Sequence, residues 1–221
     1  MVSPRQDGGF DISISGSALD GETLVNTTIN AEEGATWLPP VRLGARFDRL
    51  WVTKGAKMDN AVISAEYDGA AWRFVTASGQ LFGNSVIEAA FRDNQDNPSL
   101  TINSNDAGTL LRTFGVVDTI VGGRLALTAT TAGRGDSVPW RGQLAVTNFR
   151  VTKAPILTRL LSLASLTGIS SFVTSKGIYF SRLDIPFAMQ FRRLTISNVR
   201  AMGSQIGISA NGEIALVVCI V

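Results

Sequence analysis

Apolar and polar residues alternate with period two through much of the chain, and the alternating runs are bounded by Gly, Asn or Asp. Such runs mark strands that bury one face and wet the other. They predict strands at 10–16, 22–30, 45–53, 60–68, 71–78, 85–93, 98–103, 122–131, 138–151, 177–191, 193–201 and 204–217. Trp72 and Phe74 stand against Arg73, Ile87, Ala89 and Phe91 against Glu88 and Arg92, and Leu125, Leu127 and Ala129 against Arg124 and Thr128. Asp68-Gly69 and Asn211-Gly212 read as hairpin turns because both pairs tolerate positive φ, and tight turns join antiparallel neighbours. Gly122-Gly123 reads as a turn before a strand. The expected fold is therefore mainly β, an antiparallel meander.

Two stretches leave this rhythm. Between about 105 and 114, Ser104 or Asn105 suits a helix N-cap, and Leu110, Leu111 and Phe114 share a helical face. Between about 155 and 174 the chain is strongly apolar at helical spacing. Pro155 opens the helix, Ile156, Leu157, Leu160, Leu161 and Ala164 form its stripe, Gly168 stops it, and Ile169, Phe172 and Val173 make a second short turn. A helix of this kind either caps a β-structure or lies at a membrane interface. Pro39-Pro40 breaks the alternation and marks a loop or a crossover.

Composition narrows the functional classes. In 221 residues, 45% hydrophobic content against 17% charge excludes a disordered tail, and no linker divides the chain, so a single β-rich domain is expected over 1–221. Twenty basic and 18 acidic residues are dispersed, leaving a net charge of +2 and no basic patch for nucleic acid. Histidine is absent and Cys219 is the only cysteine, which removes the usual general base and the commonest zinc ligands. The carboxylates of Asp20, Asp59, Asp68, Asp93, Asp96 and Asp106 sit at turn positions, where bonding to the backbone explains them. The expectation is a non-enzyme with no catalytic residues, no metal and no cofactor. No apolar run approaches the roughly 18 residues a membrane span needs, and the N-terminal MVSPRQDGG lacks a signal peptide's apolar core. Arg134-Gly135-Asp136 reads as a turn, Trp37, Trp51, Trp72 and Trp140 as core or rim residues, and Arg192-Arg193 as a solvated strand end.

One dry and one wet face fit a closed sandwich, with two dry faces packed together, or a long curved sheet with an open dry face. The dry set predicted from parity is Trp72, Phe74, Ile87, Phe91, Leu125, Leu127, Leu144 and Val146, and the predicted gate or membrane-contact set is Ile156, Leu157, Leu160, Leu161 and Phe172.

A series of segments bears on the choice: Asp106-Ala107-Gly108 with Leu110-Leu111-Arg112, Gly122-Gly123-Arg124-Leu125, Trp140-Arg141-Gly142-Gln143-Leu144 and Asn148-Phe149-Arg150-Val151. They continue through Ala154-Pro155, the run from Leu160 to Ile169, Gly177-Ile178, Pro186-Phe187 and Arg200-Ala201-Met202-Gly203. In order and spacing, residues 99–212 resemble the C-terminal region of the AsmA-like proteins of Gram-negative bacteria, of the YhdP and TamB type. The resemblance implies a long antiparallel sheet forming an open apolar groove, with the dry set lining it. It also implies intermembrane phospholipid transport supporting outer-membrane lipid homeostasis, with acyl chains inside and head groups in water. The chain would be a periplasmic piece of a longer protein anchored in the inner membrane, with phospholipid, the two membranes and envelope proteins as its partners. The family's alternation gives way after Glu213-Ile214 to the apolar run 215–221, which suggests truncation or a changed reading frame. The alternative is a structural or assembly scaffold of the envelope with a closed β-core and no lipid.

Overall fold

The computed structural model describes residues 1–21, 39–53, 55–94, 97–133, 137–152, 177–191, 193–204 and 206–215. Strands β1 (Val2–Pro4), β2 (Phe10–Asp20), β3 (Val41–Thr53), β4 (Ala56–Tyr67), β5 (Trp72–Gln80) and β6 (Val86–Asn94) are followed by β7 (Asn97–Ser104) and one helix, α1 (Ala107–Thr113). After the helix come β8 (Ile120–Thr130), β9 (Trp140–Val151), β10 (Ile178–Gln190), β11 (Arg193–Gly203) and β12 (Gly207–Ala215). Among the described residues, all 12 strands form one sheet in sequence order with β1 and β12 at its two edges, an open sheet and not a closed sandwich.

From β3 to β12 every neighbouring pair is antiparallel, joined by short connections except where α1 separates β7 from β8 and where residues 152–177 separate β9 from β10. The exception to the expected meander is β2 with β3, which pair in parallel from Phe10↔Val41 to Asp20↔Trp51. A parallel pair cannot be joined by a tight turn, and Pro39-Pro40 stands immediately before β3. The predicted strand 22–30 and the predicted helix 155–174 lie outside the described residues, as do Trp37, Arg134-Gly135-Asp136, Arg192 and Cys219.

The Asp68-Gly69 turn is as expected. Gly69 has φ +97°, and one Asp68 carboxylate oxygen accepts from the N–H groups of Ala70 at 2.9 Å and Ala71 at 2.8 Å. Two other turn assignments are corrected. Gly122 and Gly123 lie inside β8 with φ +67° and +88°, and Asn211-Gly212 lies inside β12. Asn211 there accepts from the backbone N–H of Asn198 at 2.6 Å, satisfying a donor at the irregularity between Ile196 and Val199 of β11. β1 was missed because three residues carry too little alternation to register as a strand.

The alternation also changes parity within strands. Met58 and Ala61 of β4 are both buried, as are Val146 and Phe149 of β9, although each pair is three residues apart. Between the members of each pair stands an asparagine at positive φ, Asn60 at +52° and Asn148 at +57°. Asn198, at +53°, separates Ile196 from Val199 in β11 in the same way. Asparagine visits this left-handed region at lower cost than most residues, and a single such residue turns the strand over and moves the apolar set to the other parity.

Helix α1 starts on Asp106, not on Ser104 or Asn105. Its carboxylate accepts from the Thr109 N–H at 3.0 Å and the Thr109 hydroxyl at 2.7 Å. Ala107, Gly108 and Leu110 are buried against the sheet, while Phe114 at the C-cap is 37% exposed and not part of the buried face. Gly108 makes the docking possible. A Cβ there would stand 2.6 Å from the Ile120 carbonyl oxygen and 2.9 Å from the Gly122 nitrogen, so only glycine lets the helix lie directly on β8.

Candidate functional site

Cross-strand partners in a ladder project to the same face, so the register traces the apolar face residue by residue. One rung runs Val75, Phe91, Leu100, Ala129, Gly142, Phe187 and Ile196. A second runs Ala77, Ala89, Ile102, Leu127, Leu144 and Ile185. A third runs Gly79, Ile87, Ser104, Leu125, Val146, Leu183, Ala201 and Ile208. The other face carries Glu88, Arg92, Asn103, Thr128, Arg141 and Gln143, all exposed. On that face Asp184 is held below the usual carboxylate range, chiefly by the hydrogen bond from Arg182 at 2.6 Å, and Gln143 also donates to it at 2.9 Å.

The apolar face is not uniformly covered. At one margin α1 lies against β8 and β9, and its Ala107 and Leu110 join Leu125, Val146, Phe149 and Phe180 in a buried apolar cluster that extends to Ala45, Phe47, Leu50, Met58, Ala61 and Leu81. Phe149 and Phe180 stack with ring centroids 5.4 Å apart, and Val146 and Phe180 are 1% and 2% exposed. Towards the middle, Ile87, Ile102, Leu127, Leu144 and Ile185 are only half-buried. Among the described residues no second sheet lies over them.

The register brings together Ile87, Phe91, Leu125, Leu127, Leu144 and Val146 of the predicted set. Leu125 and Val146 are packed core under α1, while Ile87, Phe91, Leu127 and Leu144 are open lining. Phe74 does not belong. It pairs with Glu66 and Arg92 on the wet face, because the lining residues of β5 are Val75, Ala77 and Gly79. Trp72 nevertheless reaches the dry face through a bulge, in which the register shifts between the pairs Glu66↔Phe74 and Tyr67↔Trp72. Sequence parity grouped Trp72 with Phe74 because it cannot see this extra residue.

Other lining residues were missed, among them Val75, Leu100, Ile102, Ile185 and Phe187. The apolar neighbours Phe74, Pro186 and Ala188 hid the alternation at Val75, Ile185 and Phe187, whereas Leu100 and Ile102 alternate plainly with Ser99, Thr101 and Asn103. The predicted gate residues Ile156, Leu157, Leu160, Leu161 and Phe172 lie outside the described residues. The chain leaves for and returns from that segment at the α1 margin, where the Thr152 N–H donates to the Thr119 carbonyl at 2.8 Å and Gly177 precedes β10. Two residues stand out into solvent at the same margin, Phe82 (87% exposed) and Val116 (69%).

The opposite margin is aromatic. Tyr67 and Trp72 meet at 5.4 Å, and Phe91 and Trp140 at 6.5 Å between ring centroids. The second pair joins β6 to β9 across two intervening strands, a backbone separation of roughly 14 Å in a flat sheet. The two large side chains close that gap. Both pairs line a cleft of about 530 Å³.

Among the described residues, no three His, Cys, Asp or Glu side chains are grouped to hold a metal ion, and no helix is long and apolar enough to cross a membrane. No family model, no curated protein and no solved structure matches this chain.

Proposed function

We propose that the chain is a non-enzymatic conduit for phospholipid, in which acyl chains lie against the apolar face and head groups stay in water. Two apolar rungs running unbroken across β5 to β10, and a third interrupted only by the buried Ser104, support this reading, with half-buried side chains at their centre. Five inter-strand spacings make a band roughly 24 Å long, more than the roughly 15 Å of hydrocarbon in one leaflet of a bilayer. Each methylene moved from water to such a wall gains about 0.8 kcal/mol, enough for a tail to exchange its bilayer surroundings for the groove without polar chemistry. A wall without directional bonds also lets the tail slide. With the AsmA-like resemblance, this reading places the chain in the periplasm, as part of a longer inner-membrane-anchored protein that supplies phospholipid to the outer membrane.

The test is transfer of a fluorescent phospholipid between two vesicle populations by the purified chain. Wild type is expected to accelerate transfer, and Leu144→Asp, which puts charge at mid-groove, to abolish it while keeping the wild-type circular dichroism spectrum. Transfer unchanged in a folded Leu144→Asp protein contradicts the conduit.

A further inference from the structure

The polar face carries a pocket of about 440 Å³ where β9, β10 and β11 run towards the β10–β11 connection. Register accounts for its walls. Arg141, Ala188 and Thr195 stand side by side in one cross-strand row, and Gln190 and Arg193 face each other in the next row on the same face. All five line the pocket, and Pro139 and Phe191 complete the lining. Ala188 is the floor. Its single methyl leaves room between the side chains of Arg141 and Thr195, whose backbones lie roughly 10 Å apart across β10.

The polar groups around this space are mainly donors. A guanidinium carries five N–H groups and accepts nothing, the Thr195 hydroxyl can donate, and the Gln190 amide is fixed by donating to the Ser137 carbonyl at 2.6 Å. Elsewhere on this face an arginine directly opposite a carboxylate is neutralised in place, as Arg42 is by Glu66 at 3.3 Å. Arg141 is placed differently. Among the described residues its neighbours on this face are Thr130, Ala188, Pro139 and Gln143, none of them charged. Arg193 meets Glu213 at 3.3 Å, but the two side chains are 69% and 59% exposed and Glu213 lies outside the pocket, so solvent screens the pair and the guanidinium is free to exchange it.

We propose that this pocket binds a phosphate group, held between the guanidinium groups of Arg141 and Arg193 with the Thr195 hydroxyl beside them. A tetrahedral phosphate offers several acceptor oxygens at once, and its edges match the planar guanidinium fork. Two sources supply that chemistry, the head group of a phospholipid at a membrane surface and a soluble phosphate ester. Phe191, 68% exposed with φ +46° at the pocket wall, gives a lipid an apolar contact beside its phosphate. The pocket lies on the face opposite the proposed conduit and binds phosphate whether or not acyl chains enter the groove.

In phosphate-free buffer, inorganic phosphate is titrated into the full chain with the arginine Nε–H signals followed by NMR. Saturable shifts of Arg141 and Arg193, with Arg124 and Arg150 unmoved, are expected. Unmoved Arg141 and Arg193, or equal shifts of all four, overturn the pocket. Sedimentation with vesicles of phosphatidylcholine, alone or mixed with phosphatidic acid, then separates the sources. Arg141→Gln with Arg193→Gln is compared with Arg124→Gln with Arg150→Gln, which removes the same charge at other exposed positions. Binding to the phosphatidic acid vesicles that falls roughly tenfold in the first double variant and persists in the second assigns the pocket to lipid. Phosphate shifts without vesicle binding assign it to a soluble ester. An equal loss in both double variants reports general attraction to an acidic surface and overturns the pocket as a lipid site.

Discussion

At the scale of single residues the sheet depends on positions where side-chain chemistry and backbone conformation agree. Asn60 tolerates φ +52° and reverses the parity of β4 between Met58 and Ala61. Glycine accepts that conformation freely and a β-branched residue does not. Asn60→Gly is therefore expected to change stability by less than about 0.5 kcal/mol and Asn60→Val to cost about 1–3 kcal/mol in urea denaturation. Asp68 makes a pH-dependent contribution. Its folded pKa of about 2 lies below the ordinary 3.8, so its stabilisation is complete above the unfolded value and is lost as pH falls from about 4 through 2. Asp68→Asn is expected to be less stable than wild type at neutral pH and to show a shallower loss of stability over that acid range, measured by denaturation at a series of pH values. These details set the limit of sequence reading. Period-two alternation placed Ile87, Phe91, Leu127 and Leu144 on one face, but it assigned Phe74 wrongly because the bulge at Trp72 and the left-handed asparagines break parity without changing composition.

At the scale of elements, the strands from β4 to β11 were legible because each carries a run of alternating apolar and polar residues. β12 was legible as a strand, although its Asn211-Gly212 was misread as a turn. The parallel pairing of β2 with β3 was not legible, since it depends on the path of a long connection and not on the pattern of either strand. The helix at 105–114 was visible from its apolar spacing, but its role was not. α1 seals one margin of the apolar face, and that follows from Gly108 fitting against β8 at backbone distance. Gly108→Ala is expected to lift the helix and cost about 1–3 kcal/mol, with faster hydrogen exchange at Ala107 to Thr113 and at the start of β8. Losing the cap by Asp106→Ala is a milder version of the same lesion, expected at about 1 kcal/mol and confined to the helix.

At the scale of the whole molecule, the 12 described strands form a single open sheet with one polar face and one apolar face, and the apolar face is buried beside α1 and again over β3 and β4, and half-open between them. Its apolar residues therefore fall into two groups with different responses to charge. Val146, 1% exposed, is packed, and Val146→Asp buries an unpaired charge that is expected to cost several kcal/mol and unfold the domain. Leu127 is half-buried at mid-groove, where an introduced carboxylate keeps access to water. An envelope scaffold that carries no lipid needs no such exposed band, and this contrast separates it from a conduit. The direct measurement is native mass spectrometry with lipid extraction on the chain purified from a bacterial host, comparing wild type with Leu127→Asp. Phospholipid bound to wild type and absent from a folded Leu127→Asp protein is the expected result; a lipid-free, monodisperse wild type would contradict the conduit.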